Sequence, residues 1–257
     1  MRFELPVASA EDSCCVIPPP GTHWSPDADS LIQALARLAS IDIPRRERIH
    51  ALWRRPLCVV IVGGMCAGKS TLAHGAAKHP ALAGYCEVVP RCSTREPRRG
   101  DAADGVTSIS WDEFRLRRTA GDFALSWERP LTDGSTIGYG CLKASGDRLP
   151  ILMAGHGVYT NSVSVQPPTA LERAFVVGVA APADVRAERL RLRSPDVIAR
   201  GSAAMSTLLA HDDVTMAANV DILVQNYDAI QSAVVYDFVS ALTLVLNPPG
   251  DDQSATI

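Results

Sequence analysis

Lysine is nearly absent. The 257-residue chain has three lysines, Lys69, Lys78 and Lys143, against 22 arginines, so each position that kept lysine stands out. The seven cysteines form no C-x-x-C pair and are odd in number, which argues against both a disulfide framework and a zinc cluster. Free thiols suit a reducing, cytoplasmic setting. No stretch approaches the ~20 apolar residues of a membrane span. The N-terminal MRFELPVASAEDSCC, acidic and without a long apolar run, does not read as a secretory leader. Charge is also lacking: a net −3 gives no bulk attraction to nucleic acid or to anionic membrane, so neither is an expected partner. No lysine follows an asparagine, which excludes the N-K-x-D base reader of GTPases. Hydrophobic residues make up 47% of the chain, enough for a sizeable core.

The order of apolar segments points to an α/β fold. Residues 1–30, with Pro18-Pro19-Pro20-Gly21, read as a loose arm. Residues 30–42 carry apolar positions at helical spacing, and Pro44 opens a second, arginine-rich helix through residue 55. These two helices offer a surface for a homodimer or a cap for the core. LCVVIV (57–62) is the unbroken apolar run of a strand buried on both faces. Strands are expected again at 87–89, 123–127, 150–155, 174–180 and 221–225, and helices at 69–78, 111–120, 182–192, 196–210 and 228–246. Residues 90–105 and 128–140 read as polar loops, with Asp133-Gly134 as a turn. The alternation predicts a three-layer αβα arrangement around a parallel sheet. The expected division is an extension over 1–56, a core unit over 57–246 and a tail over 247–257.

Gly63-Gly64-Met65-Cys66-Ala67-Gly68-Lys69-Ser70 matches G-x-x-x-x-G-K-[ST], followed by Thr71. Glycines let successive backbone N–H groups turn inward around phosphate oxygens. The helix that follows points its positive end at the same anion. Lys69 can reach the β- and γ-phosphates and Ser70 can ligate Mg²⁺, which makes ATP and Mg²⁺ the expected cofactors. Cys66 reads as a small loop residue.

Two arginine clusters suit a kinase. Ser93-Thr94-Arg95-Glu96-Pro97-Arg98-Arg99-Gly100-Asp101 concentrates paired hydrogen-bond donors for a phosphate on the acceptor. Arg186, Arg189, Arg191, Arg193 and Arg200 follow a strand; of these, Arg189, Arg193 and Arg200 could close over the nucleotide. His156, at the C-terminal edge of the sheet, is a candidate acceptor contact. Asp101 and Asp104 are the nearest acids for orienting the acceptor or a metal-bound water. Asn226 is a candidate neighbour of the adenine.

VIVGGMCAGKSTL, STREPRRGD, ISWDEF, AGDFALSW, GYG and RLRLR, in that order, resemble the guanylate kinase family over residues 57–246. AGDFALSW and Gly138-Tyr139-Gly140 look closest to its ribose 1,5-bisphosphate phosphokinase branch. The resemblance implies a core, an acceptor-binding insertion (90–140) and a lid (186–210). It also implies that Arg95, Arg98 and Tyr139 hold the acceptor phosphate, that Arg189, Arg193 and Arg200 are lid arginines, and that Asn226 follows the last strand.

The departures bear on the substrate. Where guanylate kinases read guanine with a glutamate, this chain has Ser126. Val106-Thr107-Ser108-Ile109 lacks the insertion tyrosine, and Met153-Ala154-Gly155-His156 replaces the acidic segment of that family. The bisphosphokinases tend to carry E-N-H where this chain has Asp104-Gly105-Val106, and the loop between Trp127 and Gly138 is longer here. A site without guanine's carboxylate partner argues against GMP. The expected activity is phosphoryl transfer from ATP to a small, already phosphorylated sugar or modified nucleotide. The alternative is an ATP-binding regulatory module that has lost transfer, motivated by the missing acid.

Overall fold

Strand-forming apolar runs and amphipathic helices alternate along most of the chain. The computed structural model describes residues 28–52, 56–98, 100–131, 133–158, 163–193, 219–227 and 231–246. In chain order the elements are α1 (Ala28–Leu35), β1 (Ile41–Asp42), α2 (Arg46–Leu52), β2 (Cys58–Gly63), α3 (Lys69–Lys78), β3 (Cys86–Val88), β4 (Arg91–Ser93), β5 (Val106–Ser108), α4 (Trp111–Ala120), β6 (Phe123–Pro130), β7 (Thr136–Leu142), β8 (Leu149–Met153), β9 (Val165–Gln166), β10 (Ala174–Ala180), α5 (Ala183–Arg193), β11 (Ile222–Gln225) and α6 (Gln231–Leu246).

The main sheet has the order β1-β11-β10-β2-β8-β3, parallel except for the edge strand β1. Every residue of β2 and of β10 is buried, which is why their sequences run apolar without alternation. One face of this sheet, through Val59, Ile61, Val177 and Ile222, packs on α1, α2, α3 and α6. The other face, through Val60, Val62, Leu152 and Val176, packs on residues of a second sheet, Leu125, Trp127 and Cys141. That second sheet has the order β5-β4-β7-β6-β9. Its far side is covered by α4, whose Phe114 is fully buried beside Phe123. Ser110 caps α4 by accepting from the Glu113 N–H, and Gly121 ends it in a left-handed conformation.

Several expectations need correction. The helix anticipated over 30–42 ends at Leu35, and Ile41–Asp42 is instead a strand. Ile41 and Asp42 pair with Val224 and Leu223, so tertiary pairing overrides the local helical spacing. Residues 128–140 are mostly strand: β6 and β7 form a hairpin whose turn holds Asp133-Gly134. Strand β4 lies within the segment read as a polar loop. The anticipated arm, the helix over 196–210 and the tail lie outside the described residues, apart from residues 28–30 at the arm's end.

The N-terminal helices are fastened to the main sheet from within. Leu31, Leu35 and Ile49 are fully buried in the chain's own core. Arg48 donates to Asp221 at 2.7 Å and to the Ala174 carbonyl at 2.9 Å. Asp221, wholly buried, also accepts from the Val176 N–H at 2.8 Å. Burial raises the Asp221 carboxyl above its ordinary range, while the Val176 N–H and Arg48 pull against it. A carboxyl raised in the folded state favours folding least once it is ionised, so stability from this group falls as pH rises through its folded value. Arg48→Ala strands the charge, and a loss of about 3–5 kcal/mol is expected near neutral pH. Without Arg48 the carboxyl rises further, so the deficit narrows as pH is lowered toward the carboxylate range. Urea unfolding of both proteins at several pH values checks this; a deficit that widens in acid would contradict it.

Candidate active site

The loop between β2 and α3 curls as a cradle around the Lys69 ammonium. Lys69 opens α3 and turns back on the loop, where its Nζ donates to the carbonyls of Gly63 (2.9 Å) and Gly64 (2.7 Å). Burial first, then the charge of Arg91, with Cys66 opposing and Arg193 and Arg186 adding, brings the Lys69 ammonium down to about 8. Ser70 and Thr71 follow on the first turn of α3, with Met65, Cys66 and Ala67 forming the bend.

Two residues distant in sequence brace this loop from outside. Asn226, just past β11, is buried and donates to the Ala67 carbonyl at 2.6 Å. Arg189 on α5 donates to the carbonyls of Cys66 (3.3 Å) and Ala67 (3.4 Å) and to Asn226 Oδ1 (3.3 Å). Both therefore sit at the nucleotide loop, holding its backbone. Cys66 is the one described non-glycine residue with positive φ, at 59°. Burial raises its thiol, with Arg193, Lys69, Arg189 and Arg186 pulling it down. That environment does not favour a reactive thiolate.

The second sheet supplies the opposite wall. Register places Arg91 beside Cys141 and Ser93 beside Tyr139, so these four share one face. Gly138 and Gly140 belong to the other face, where an added Cβ would meet Phe114 at 2.9 Å and Phe123 at 2.4 Å. The GYG motif thus lets two aromatic rings close the far side while Tyr139 is turned to the near one. Tyr139 stacks on Trp127, with centroids 5.2 Å apart and planes at 14°.

Arg95 is held by Asp101 through two bonds of 2.7 Å. Asp101 also accepts from the Arg98 N–H at 2.7 Å. Against the cost of burial, these contacts keep the Asp101 carboxyl below its usual range. Asp101 and, to a lesser degree, Tyr139 favour the charged form of Arg95 against the cost of burial. Burial, with the charge of Arg95 next, lowers the Arg98 guanidinium, and Arg129 adds to that crowding. Arg193, at the end of α5, pairs with Asp104 across from it in the second sheet's connecting loop.

The structure therefore brings Arg189 and Asn226 to the loop that Lys69 closes, and groups Arg95, Arg98 and Asp101 in the segment after β4, with Arg193 paired to Asp104. Ser126 is not brought to Tyr139: it pairs with Gly140 and Gln166, buried on the opposite face of β6. His156 begins a short 3-10 turn after β8, and its side chain and Arg200 lie outside the described residues. Sequence reasoning missed Arg91 and Trp127. The alternation Arg91, Ser93, Arg95 was the available signal for the first.

No carboxylate closes β8, where Met153 and Ala154 are buried. Among the described residues no three acidic, histidine or cysteine side chains gather as a metal site. Ser70, on the first turn of α3, could help to hold a Mg²⁺ carried mainly by phosphates and water.

No protein-family model matches the chain. Among curated proteins, the ribose 1,5-bisphosphate phosphokinase PhnN of Rhizobium etli (strain CIAT 652) is 31% identical over 168 residues, covering 63% of this chain and 80% of the relative. PhnN of Bradyrhizobium diazoefficiens is 33% identical over 168 residues, covering 62% and 78%. The chain belongs to the ribose 1,5-bisphosphate phosphokinase family. The branch suggested by AGDFALSW and GYG is the one found, within the guanylate kinase-like proteins. No described helix of this family member is long and apolar enough to cross a membrane.

The brace on the cradle has little room. Gly68 sits at φ 108°, and a Cβ there would lie 2.2 Å from Asn226 Nδ2. Gly68→Ala must displace Asn226, and a loss of about 1–3 kcal/mol is expected from the strained backbone alone. Chemical denaturation measures it; a variant as stable as the parent would show that the brace gives freely.

Proposed function

We propose that this protein transfers the γ-phosphoryl group of ATP to a phosphate already carried by a small sugar phosphate, with ribose 1,5-bisphosphate as the acceptor. The observation that supports the reading is the Lys69 loop, whose ammonium turns onto the Gly63 and Gly64 carbonyls, together with a separate arginine group in which Arg95 is braced by Asp101 beside Arg98. Family membership supports the same class of reaction. Ser126, turned to the far face of β6, supplies no carboxylate for a guanine base, which disfavours GMP.

The chemistry asks little of the protein beyond placement. The backbone from Gly63 to Thr71 would hold the triphosphate, and Lys69 would exchange its bonds to two carbonyls for bonds to phosphate. ATP supplies the phosphoryl group, and Mg²⁺, which Ser70 would help to hold, neutralises its charge. Arg95, Arg98 and Tyr139 would bind the acceptor. An acceptor phosphate oxygen attacks the γ-phosphorus as the bond to the ADP oxygen breaks, so the acceptor leaves with a diphosphate. Arg193, released from Asp104, and Arg200 are the lid arginines of this reading.

ADP release from Mg-ATP, measured against ribose 1,5-bisphosphate, other sugar phosphates and GMP, tests the reading. Turnover is expected with the bisphosphate and not with GMP. ATP binding without transfer to any acceptor would favour the regulatory module instead.

Lys69→Ala should lower turnover by about 100- to 1,000-fold with folding intact. Near-normal transfer by that variant would overturn the mechanism. The depressed Lys69 value adds a pH signature. The unliganded ammonium loses its proton as pH rises through about 8, so nucleotide affinity should fall above that pH. Lys69→Arg, permanently charged, should flatten that fall. Calorimetric titration of nucleotide between pH 7 and 9.5, an interval spanning about a unit or more on either side, checks both.

A further inference from the structure

Arg91 stands apart from the other arginines of the cleft. It opens β4, next to Cys141 in register, on the face that carries Tyr139. The Cys141 thiol donates to the Met153 carbonyl at 3.5 Å, which ties this part of the face to the end of β8. Arg95 has Asp101 and Arg193 has Asp104. The Nε of Arg91 is buried and finds no partner among the described residues. A buried guanidinium donor left unsatisfied costs stability, and an anionic ligand is one way to recover it.

We propose that Arg91 is the second anion site of the acceptor, holding the phosphate of a bisphosphorylated sugar that Arg95, Arg98 and Tyr139 do not hold. This rests on the kinase reading above and deepens it. A mononucleotide acceptor needs one phosphate site, whereas a bisphosphate needs two. The charge of Arg91 acts on Lys69 and that of Arg129 on Arg98, while Arg95, which acts on both Arg91 and Arg98, is itself paired with Asp101. Burial lowers the Arg91 guanidinium and Asp104 and Asp101 help to hold its charge, in keeping with a cation placed to receive an anion. Specificity then comes from Arg91 rather than from the Ser126 position. A sugar with one phosphate leaves one cation group without a partner, and so binds more weakly.

The test is calorimetric binding of ribose 1,5-bisphosphate, ribose 1-phosphate and ribose 5-phosphate to the full chain and to its Arg91→Ala and Arg91→Gln variants. The parent should prefer the bisphosphate to either monophosphate by about 10- to 100-fold. Both variants should lose that preference over one monophosphate, the one lacking the phosphate Arg91 holds, and should bind that monophosphate as the parent does. Arg91→Gln keeps most of the side-chain volume and carries the test if Arg91→Ala fails to fold. Equal weakening toward all three ligands, unchanged binding of all three, or a parent with no preference for the bisphosphate would overturn the proposal. A parent that binds the bisphosphate but transfers nothing to it would sink the kinase reading alone, and the variants would still decide the role of Arg91.

Discussion

Lys69 carries its charge behind the β2–α3 loop, where most of the charges acting on it are those of arginines, Arg91, Arg193 and Arg186. Burial and the charge of Arg91 both work against the ammonium, which is why it turns onto the carbonyls of Gly63 and Gly64. Asp101 and Asp104 relieve part of the same repulsion by taking Arg95 and Arg193. On the proposed reading, a ligand that brings several negative charges would relieve what the two aspartates leave, and a neutral or singly charged molecule would not.

Strand alternation distributes this chemistry. In the main sheet, odd residues of β2 face the helices and even ones face the second sheet. In the second sheet, the same rule turns Arg91, Ser93, Tyr139 and Cys141 to one side and leaves glycines where Phe114 and Phe123 pack on the other. The nucleotide loop is held in shape by residues far away in sequence, Arg189 and Asn226, both of which bond the Ala67 carbonyl. A chain position without a side chain at Gly68 is what lets Asn226 come so near.

Features set by local chemistry were legible in the sequence. The cradle, α3, α4 and β10 fall where glycine spacing and the order of apolar segments placed them. The family was legible too, because its motifs keep their order. Features set by register were not. Ser126 could be read as the wrong residue for guanine, but its facing away from Tyr139 depends on its pairing with Gly140. Arg91 looked like one more basic residue in a polar segment until β4 paired with β7. Ile41 continued a helical pattern, and the hydrogen-bonding edge of β11 made it a strand. Turn-forming residues around Asp133 concealed a hairpin whose strands begin and end close to them.

The edge strand β1 and Arg48 find their partners late. Ser40 and Asp42 lie beside β11, and Arg48 reaches Asp221, 173 residues further along the chain. A ribosome must therefore add most of the polypeptide before the N-terminal helices can close their core contacts. Until then Leu31, Leu35 and Ile49 lack the part of their core that β11 and α6 supply. Such long-range closure slows folding relative to a chain built from neighbouring contacts. Newly made copies are thus most exposed to aggregation before β11 emerges, and fastening of Arg48 to Asp221 marks the end of that interval.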